Sequence, residues 1–357
     1  MPQRSSLFSM PIVYSILCLL IIYGNSHQID LKSFTLIGLL VSCLPQVQAH
    51  SIIALAQWGV IYVILTFPYR KIKTQFKTYV CNYGILSIVA IVFGVPQMIP
   101  LLERTSKTSG FMKIAPIWSD SPGKNYLTYW VNALGVFFII SMLGIFVLHN
   151  KQLKMYIAAL GVFFAANFIW YQPWSLDNTK IFNAGWIPFA VALVSKVLVM
   201  IWDKKYIGKI LALPLFVLCI ASGALANVKA IGASYPLWAK NADVFGFAEF
   251  VKSTDPIAVW LTDSSHTNPV VTLGGRQTVL GNRGWIYSHG IDDSKRFYDI
   301  QRIMGDPDNV KLTDKYDVKY VAVDKQNNEF KFAPRSDSRN WKKIYESKIF
   351  VVYNRTK

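Results

Sequence analysis

Apolar residues form long runs over roughly the first two thirds of the chain and short, interrupted runs over the rest. A helix that crosses a bilayer needs about 20 mostly apolar residues. A shorter run, residues 34–44, ends at Pro45, and we expect it to form a helix that meets the next one at the membrane surface. The sequence therefore predicts an all-α membrane bundle of about seven or eight transmembrane helices in residues 1–228. Besides the helix over residues 34–44, the long apolar runs predict helices at about residues 7–24, 51–67, 83–102, 127–148, 155–171, 182–202 and 207–228.

Residues 229–357 have a different pattern, in which short apolar stretches alternate with polar ones. Asp306 followed by Pro307 is typical of the start of a helix. Helices interleaved with strands predict a small α/β soluble domain, and this length suffices for a hydrophobic core of its own. The stretches that fit amphipathic helices are Phe245–Val251 and Ser294–Ile303. Those that fit strands are Ile257–Leu261, Val270–Leu273, Val318–Val323 and Ile349–Tyr353.

The charged residues divide the chain at the same place. Of its 20 Asp and Glu residues, 15 follow residue 228. An acidic side chain in hydrocarbon is costly, so a membrane part and a soluble part explain this contrast. The net charge of +17 comes mainly from Lys and Arg in short loops between apolar runs. We therefore expect a lipid bilayer as a partner and no nucleic acid.

The basic loops predict how the helices are oriented. One cluster covers residues 70–77, a second contains Lys151 and Lys154, and a third covers residues 204–209. All three lie on one side if the intervening helices form hairpins, and the positive-inside rule makes that side cytoplasmic. The loop 172–181 and everything after residue 228 then lie on the extracytoplasmic or lumenal side. Asn354-Arg355-Thr356, which fits the N-glycosylation pattern, agrees weakly with that placement.

Two stretches contain candidate chemistry. The first, residues 172–180, places Asp177, Asn178 and Lys180 beside Trp174 at the membrane surface, a set suited to a polar headgroup or a sugar. A structural alternative is a capped helix start, with Asp177 or Asn178 accepting backbone N–H groups. The second stretch, residues 261–290, has glycines, histidines, arginines and a tryptophan at predicted strand ends and turns.

In this second stretch, Arg276 and Arg283 could hold a phosphate, and His266 or His289 could move a proton. Turn glycines and structural hydrogen bonds are the alternative explanation. We expect no cofactor and no metal, because the sequence lacks a phosphate-binding glycine loop, a zinc motif and a carboxylate cluster in its membrane part. The four cysteines lie in apolar segments, which indicates neither a disulfide framework nor a thiolate metal site.

Three segments resemble recurrent motifs of a poorly characterised family of polytopic membrane proteins related to the C-type (GT-C) glycosyltransferases. They are Leu44-Pro45 through His50-Ser51, Pro173 through Lys180, and the run from Leu261 to Gly290 that includes His266-Thr267-Asn268-Pro269, Gly275-Arg276 and Gly284-Trp285. Their order and approximate spacing match the family from about residue 36 to residue 325.

The resemblance implies a membrane glycosyltransferase, or its C-terminal half, that takes a sugar from a polyprenyl-phosphate donor or another lipid-linked glycan on the outer face. Under this interpretation a base acts near the acceptor and cations act near the leaving phosphate. The catalytic candidates are Asp177, His266 and His289. The substrate-binding candidates are His50, Trp174, Asn178, Lys180, Asn268, Arg276, Arg283 and Trp285.

Two departures from the family keep alternatives open. The family usually has a longer N-terminal membrane region, and GT-C enzymes rely on an acid in an early outer loop. Here the early acid is Asp30, which the predicted topology places on the cytoplasmic side. The catalytic half could be missing from the chain or supplied by a membrane partner. Alternatively, the protein is not an enzyme and binds a lipid-linked glycan or scaffolds a partner. Transport is a weaker third hypothesis, since the helices carry few charges and no evident inverted repeat.

Overall fold

The chain forms two compact units, residues 1–229 and residues 230–357, which we call the membrane unit and the C-terminal unit. The computed structural model describes residues 4–24, 28–106, 112–119, 125–232, 241–327 and 329–356.

The membrane unit is built almost entirely of helices. A two-residue antiparallel ladder, β1 with β2, pairs Lys113 with Trp170 and Ile114 with Ile169. Single 3₁₀ turns cover Tyr69–Lys71 and Gly144–Val147. The elements in chain order are α1 Arg4–Tyr23, α2 Leu31–Val47, α3 Ala49–Thr66, α4 Ile72–Ser106, β1 Lys113–Ile114, α5 Tyr126–Leu134, α6 Val136–Leu143, α7 Asn150–Phe168, β2 Ile169–Trp170, α8 Ser175–Gly185, α9 Ile187–Trp202 and α10 Lys205–Gly232.

Four helices of the described chain are long and apolar enough to cross a membrane, and up to six if each of two bent pairs is one span. The bent pairs are Tyr126–Leu134 with Val136–Val147, at 112°, and Asp177–Gly185 with Ile187–Trp202, at 51°. These helices confirm a multi-pass membrane unit. The count of seven or eight spans stays a prediction.

Two predicted helices differ from the observed ones. The expected end of α2 before Pro45 is wrong, because the helix continues to Val47. Pro45 lies in the last turn, where its missing N–H removes a single hydrogen bond, and the N–H of Gln48 closes the end on the carbonyl of Leu44 at 2.7 Å. The expected straight helix over residues 127–148 breaks at Gly135, whose φ of 56° suits glycine.

The helices of the membrane unit pack closely where glycines replace larger side chains. A Cβ on Gly38 of α2 would lie 2.8 Å from the carbonyl oxygen of Leu86 in α4. A Cβ on Gly185 of α8 would lie 2.5 Å from Val162 in α7 and 3.3 Å from Ala54 in α3. Helices α3, α7 and α8 therefore meet at van der Waals distance, and this packing fixes where residues 171–180 lie.

The connections of the membrane unit separate into two ends. At one end Lys151, which starts α7, donates to the carbonyl of Ile21 near the end of α1. At the other end Gln48, between α2 and α3, accepts from Ser9 of α1 at 2.5 Å. Because α7 runs away from its basic start, the segment that follows it, residues 169–174, lies at the end opposite Lys151. The three basic loops thus lie at one end and the 172–180 stretch at the other.

The C-terminal unit has a five-stranded sheet in the order β4-β3-β5-β7-β6. Strand β3 is parallel to β4 and β5, whereas β7 is antiparallel to β5 and β6. Asn354 of the glycosylation pattern lies in β7, opposite Tyr320 of β5 and Lys342 of β6. The elements are α11 Ala242–Ser253, β3 Val259–Leu261, α12 Pro269–Thr272, β4 Gln277–Thr278, α13 Arg283–Ser288, α14 Ser294–Gly305, α15 Lys311–Lys315, β5 Val318–Asp324, β6 Trp341–Glu346 and β7 Phe350–Arg355.

This mixed sheet with its helices confirms a small α/β fold. The predicted helices are α11 and α14, and three of the predicted strands are β3, β5 and β7. The strand expected over residues 270–273 is wrong. Asn268 there accepts the N–H of Val270 at 2.9 Å, and Pro269 occupies the first turn of the short helix α12. Asp306 ends α14 instead of starting a helix, and α15 begins five residues later.

Candidate functional site

The turn between β2 and α8 is held by Asn178. Its Oδ1 accepts the N–H of Tyr171 at 2.7 Å, and its Nδ2 donates to the carbonyls of Gln172 at 3.0 Å and Trp174 at 2.9 Å. The expected capping of α8 by Asp177 or Asn178 is wrong, because Asn178 binds the preceding turn and the N-cap position is Trp174, without a side-chain cap. Both N–H groups of this amide are engaged, so Asn178 positions the turn.

Asp177 and Lys180 form an ion pair on the first turns of α8. The Nζ of Lys180 lies 2.6 Å from Oδ1 of Asp177, and the side chains are 16% and 24% exposed, respectively. His50, at the start of α3, interacts with the side chain of Gln172 and lies in the electrostatic field of the ion pair. We call His50, Gln172, Asp177 and Lys180 the α3–α8 cluster. It joins an imidazole, an amide, a carboxylate and an ammonium group.

Several buried polar atoms beside this cluster lack hydrogen-bond partners within the described residues. They are Nε2 of Gln172, Oε1 of Gln57 and Nε1 of Trp170. Gln172 is 6% exposed, and the Nε2 of Gln57 donates to the hydroxyl of Tyr171 at 2.5 Å. A buried donor or acceptor without a partner costs about 1–3 kcal/mol. A bound polar molecule would satisfy such atoms, so this part of the turn fits a ligand.

The β1–β2 ladder contributes a further cation to this turn. The Nζ of Lys113 in β1 lies 3.7 Å from the ring centroid of Trp170 in β2. Trp174 stands 48% exposed at the same turn. Together with Lys180, this gives the turn two ammonium groups and an accessible aromatic ring. These are groups that bind phosphates and sugars, respectively.

In the C-terminal unit, the predicted phosphate-binding arginines are bound to protein groups. Arg283 pairs with Asp293 through Nε at 2.6 Å and NH2 at 3.2 Å, and it lies 3.7 Å over the ring of Phe297. The hydrogen bond to Asp293 raises the pKa of Arg283. Arg276 donates to the carbonyls of Lys252 and Thr254 at the end of α11, at 2.7 and 2.9 Å. Both arginines thus stabilise the fold.

His266, Trp285 and His289 lie together on the surface of the C-terminal unit. The rings of His266 and Trp285 are 5.8 Å apart, and Trp285 is 62% exposed. Nδ1 of His289 lies 2.7 Å from the carbonyl of Trp285, which favours the tautomer that leaves Nε2 as an acceptor. Asn268 is buried and caps α12 instead of joining this surface. The exposed rings could bind a sugar face, while the arginines are engaged elsewhere.

Sequence reasoning missed a carboxylate pair at the ends of two parallel strands. Asp263 follows β3 and Asp324 ends β5, which is its neighbour in the sheet. Burial, together with the negative charge of Asp263, raises the pKa of Asp324. Asp263 accepts from the backbone of Ser265 at 2.8 Å and from Asn268 at 3.1 Å. Each acid follows an apolar strand, and this was the signal that could have revealed the pair. Within the described residues, no group of three or more potential metal ligands occurs.

The predicted site residues therefore form two groups, one in each unit. His50, Trp174, Asn178, Asp177 and Lys180 surround the 171–180 turn of the membrane unit. The C-terminal unit holds the others, with His266, Trp285 and His289 together on its surface.

Comparison with known proteins gives a distant structural likeness. No protein-family model and no curated protein matches the sequence. Two crystal structures from Archaeoglobus fulgidus, one tethered to an acceptor peptide and one in the apo form, have a TM-score of 0.43 and 13% identity. A third, archaeal AglB with an inhibitory peptide and a dolichol-phosphate, has a TM-score of 0.43 and 14% identity. All three are oligosaccharyltransferases.

The alignments cover 88–90% of this chain and 45% of those structures. The chain therefore spans less than half the length of these proteins.

Proposed function

We propose that the protein is a GT-C-like membrane glycosyltransferase, or the C-terminal half of one. It would use a polyprenyl-phosphate-linked sugar at the extracytoplasmic or lumenal face. The α3–α8 cluster carries this proposal, because it combines a carboxylate, an ammonium group and an imidazole beside the unpartnered Nε2 of Gln172. Its place at the end opposite the basic loops supports the outer face, since basic loops favour the cytoplasm. The resemblance of residues 173–180 to a GT-C-related family agrees with it.

Each charged group of the α3–α8 cluster has a role in sugar transfer. An acceptor oxygen attacks the anomeric carbon, the bond from that carbon to the phosphate oxygen breaks, and the electron pair leaves with the phosphate. Asp177 takes the proton of the acceptor, and Lys180 stabilises the charge that develops on the phosphate. This requires Lys180 to exchange Asp177 for the phosphate when the donor binds. His50 and Gln172 would orient the sugar hydroxyls.

In the C-terminal unit we propose carbohydrate binding at the surface formed by His266, Trp285 and His289. Exposed aromatic and imidazole rings suit the apolar face and the hydroxyls of a carbohydrate. Arg276 and Arg283 would reach a phosphate after releasing the backbone carbonyls and Asp293 that they now bind. Their predicted role in phosphate binding therefore needs a rearrangement.

The decisive experiment compares two Asp→Asn variants in membranes supplied with a panel of polyprenyl-phosphate sugars. Asp177→Asn removes the proposed base, and transfer should fall by about 10²–10⁴-fold, the usual contribution of such a group. Asp30→Asn is the matched control, because Asp30 lies at the other end of the membrane unit and Asn can still accept from Ser33. Full transfer by folded Asp177→Asn protein would refute the site. The same assay with and without a co-expressed N-terminal membrane protein tests the partner that the resemblance implies.

A second function, binding of a lipid-linked glycan without catalysis, is favoured by a specific observation. Asn178, Asn268, Arg276 and Arg283 all bind groups of the protein itself, and Asp30 lies at the basic end. A non-catalytic protein would retain a photoactivatable polyprenyl-phosphate sugar in wild type and Asp177→Asn alike, with no sugar released in either.

A further inference from the structure

The basic end of the membrane unit contains a cavity that the proposed transfer reaction does not use. It has a volume of about 810 Å³ and lies between α9, the start of α10 and the 3₁₀ turn before α7. This volume is in the range of small-molecule sites. Its walls are almost entirely apolar, and its lining residues include Val147, Val197, Ile201, Ile207 and Leu211.

The cavity exists because α9 and α10 are joined by a very short turn. A Cβ on Gly208 would lie 2.0 Å from the carbonyl oxygen of Ile201, so the two helices touch at that point. Leu211, about one turn further along α10, lines the cavity and is 55% exposed. In a bilayer, an apolar groove between helices is filled by hydrocarbon chains.

The mouth of the cavity is positively charged. Lys204 and Lys205 are lining residues of the cavity. Among the described residues, no carboxylate forms an ion pair with either lysine. Asp203 precedes them in the turn, so the net charge there stays positive. The mouth therefore attracts an anion, while the interior accepts an acyl chain.

From this geometry we propose that the α9–α10 cavity binds one anionic membrane phospholipid. Its acyl chains lie along Ile201 and Leu211, and its phosphate lies between the ammonium groups of Lys204 and Lys205. Basic pockets between transmembrane helices select acidic headgroups for this reason. A second copy of the chain or a partner helix would cover the apolar walls but would leave the lysines at the mouth without a counter-charge. This site is independent of the proposed glycosyltransferase activity, since it shares no residue with the α3–α8 cluster.

The test measures which lipids stay bound to the full chain after extraction from vesicles of equal phosphatidylglycerol and phosphatidylcholine. Quantitative mass spectrometry should show phosphatidylglycerol enriched on the wild-type protein. The double variant Lys204→Gln with Lys205→Asn removes the charges, and Asn tolerates the left-handed backbone at position 205, where φ is 46°. Enrichment should fall on the order of tenfold, as expected for two lysines near a lipid surface.

Two controls separate this site from general attraction between lipid and protein. Lys71→Gln with Lys73→Gln removes two exposed charges from another basic loop and should leave the enrichment unchanged. Leu211→Trp should fill the groove and lower retention several-fold, whereas Leu218→Trp, 55% exposed elsewhere on α10, should not. The proposal is overturned by bound lipid in the ratio of the vesicles, by equal losses in the two lysine pairs, or by a stable dimer whose interface includes Leu211.

Discussion

At the scale of single residues, Asn178 decides the shape of the candidate site. Its three hydrogen bonds fold residues 171–174 back onto α8, and this places Gln172 beside His50. The sequence alone revealed a polar stretch in an apolar region. It could not reveal that the amide of Asn178 would be fully hydrogen-bonded within the protein. The partners of Asn178 are backbone groups, and their position depends on how α3, α7 and α8 pack.

The arginines of the C-terminal unit show the same limit. Arg276 and Arg283 are typical phosphate ligands, but one caps the end of α11 and the other pairs with Asp293. A sequence motif does not specify these partners, because the tertiary fold brings them to the arginines. The carboxylate pair Asp263 and Asp324 went unnoticed for the opposite reason, because its members are far apart in sequence and meet through strand order.

Asp324 allows a prediction of pH dependence. Its pKa is raised above 3.8 by burial and by Asp263, so the folded state holds the proton more tightly than the unfolded state. The charged form therefore destabilises the fold at neutral pH, and this cost disappears as pH falls through the raised pKa towards 3.8. Asp324→Asn keeps the acceptor for the N–H of Gln326 and should increase hydrogen-exchange protection of β5 at pH 7. At pH 3.5 it should make little difference.

The control for this prediction is Asp255→Asn. A hydrogen bond from Lys319 lowers the pKa of Asp255, so its charged form stabilises the fold and its removal should reduce protection at pH 7. Equal effects of the two variants at pH 7, measured by exchange of the intact chain, would contradict the assigned signs.

At the scale of elements, apolar run length predicted where the helices lie but not where they bend. The break at Gly135 depends on a left-handed φ that any glycine permits and few require. In the C-terminal unit the β-strands with apolar cores were predictable, whereas β6 reads Trp-Lys-Lys-Ile-Tyr-Glu and is mostly exposed. Its strand structure comes from pairing with β7, which a local pattern does not encode.

The contact between α2 and α4 gives a prediction about helix packing. Gly38→Ala would place a Cβ 2.8 Å from the backbone of Leu86, and backbone cannot rotate away. We expect a destabilisation of about 1–3 kcal/mol, as in other overpacked cores. Gly84→Ala is the matched control, since a Cβ there meets no atom within 4 Å. It should be neutral or stabilising by up to about 1 kcal/mol.

Thermal unfolding in detergent, followed by the circular dichroism of the helices, measures both variants. A lower unfolding temperature for Gly38→Ala with an unchanged one for Gly84→Ala supports the close approach of the helices. The reverse order would show that α2 and α4 pack through other surfaces.

At the scale of the whole molecule, the hydrophobic pattern divided the chain near residue 228, and the structure has two units that divide after residue 229. The loops of the membrane unit separate into a basic end and an end with the α3–α8 cluster. Such separation follows from an alternation of helix direction that sequence can predict. Which end faces the cytoplasm is set when the chain inserts into the membrane.

Single cysteines on a cysteine-free background test the orientation. Lys73 lies at the basic end, Lys113 pairs with Trp170 at the end with the cluster, and Lys348 precedes β7 in the C-terminal unit. In intact cells a membrane-impermeant maleimide should label Lys113→Cys and Lys348→Cys but not Lys73→Cys. After the membrane is permeabilised, all three should react. Labelling of Lys73→Cys alone in intact cells would reverse the topology and move the proposed reaction to the other face.

The position of Asn354 in β7 affects what its glycosylation would show about the side of the membrane on which the C-terminal unit lies. Once the sheet closes, Asn354 lies between β5 and β6, and its Oδ1 is buried. Because Asn354 is held in a strand that is paired on both sides, we expect a glycan to be attached before the last strands pair. In a host that glycosylates this pattern, the modified fraction depends on the rate of glycosylation relative to the rate at which the sheet closes. An unmodified chain therefore indicates either that the sheet folds quickly or that the C-terminal unit lies in the cytoplasm.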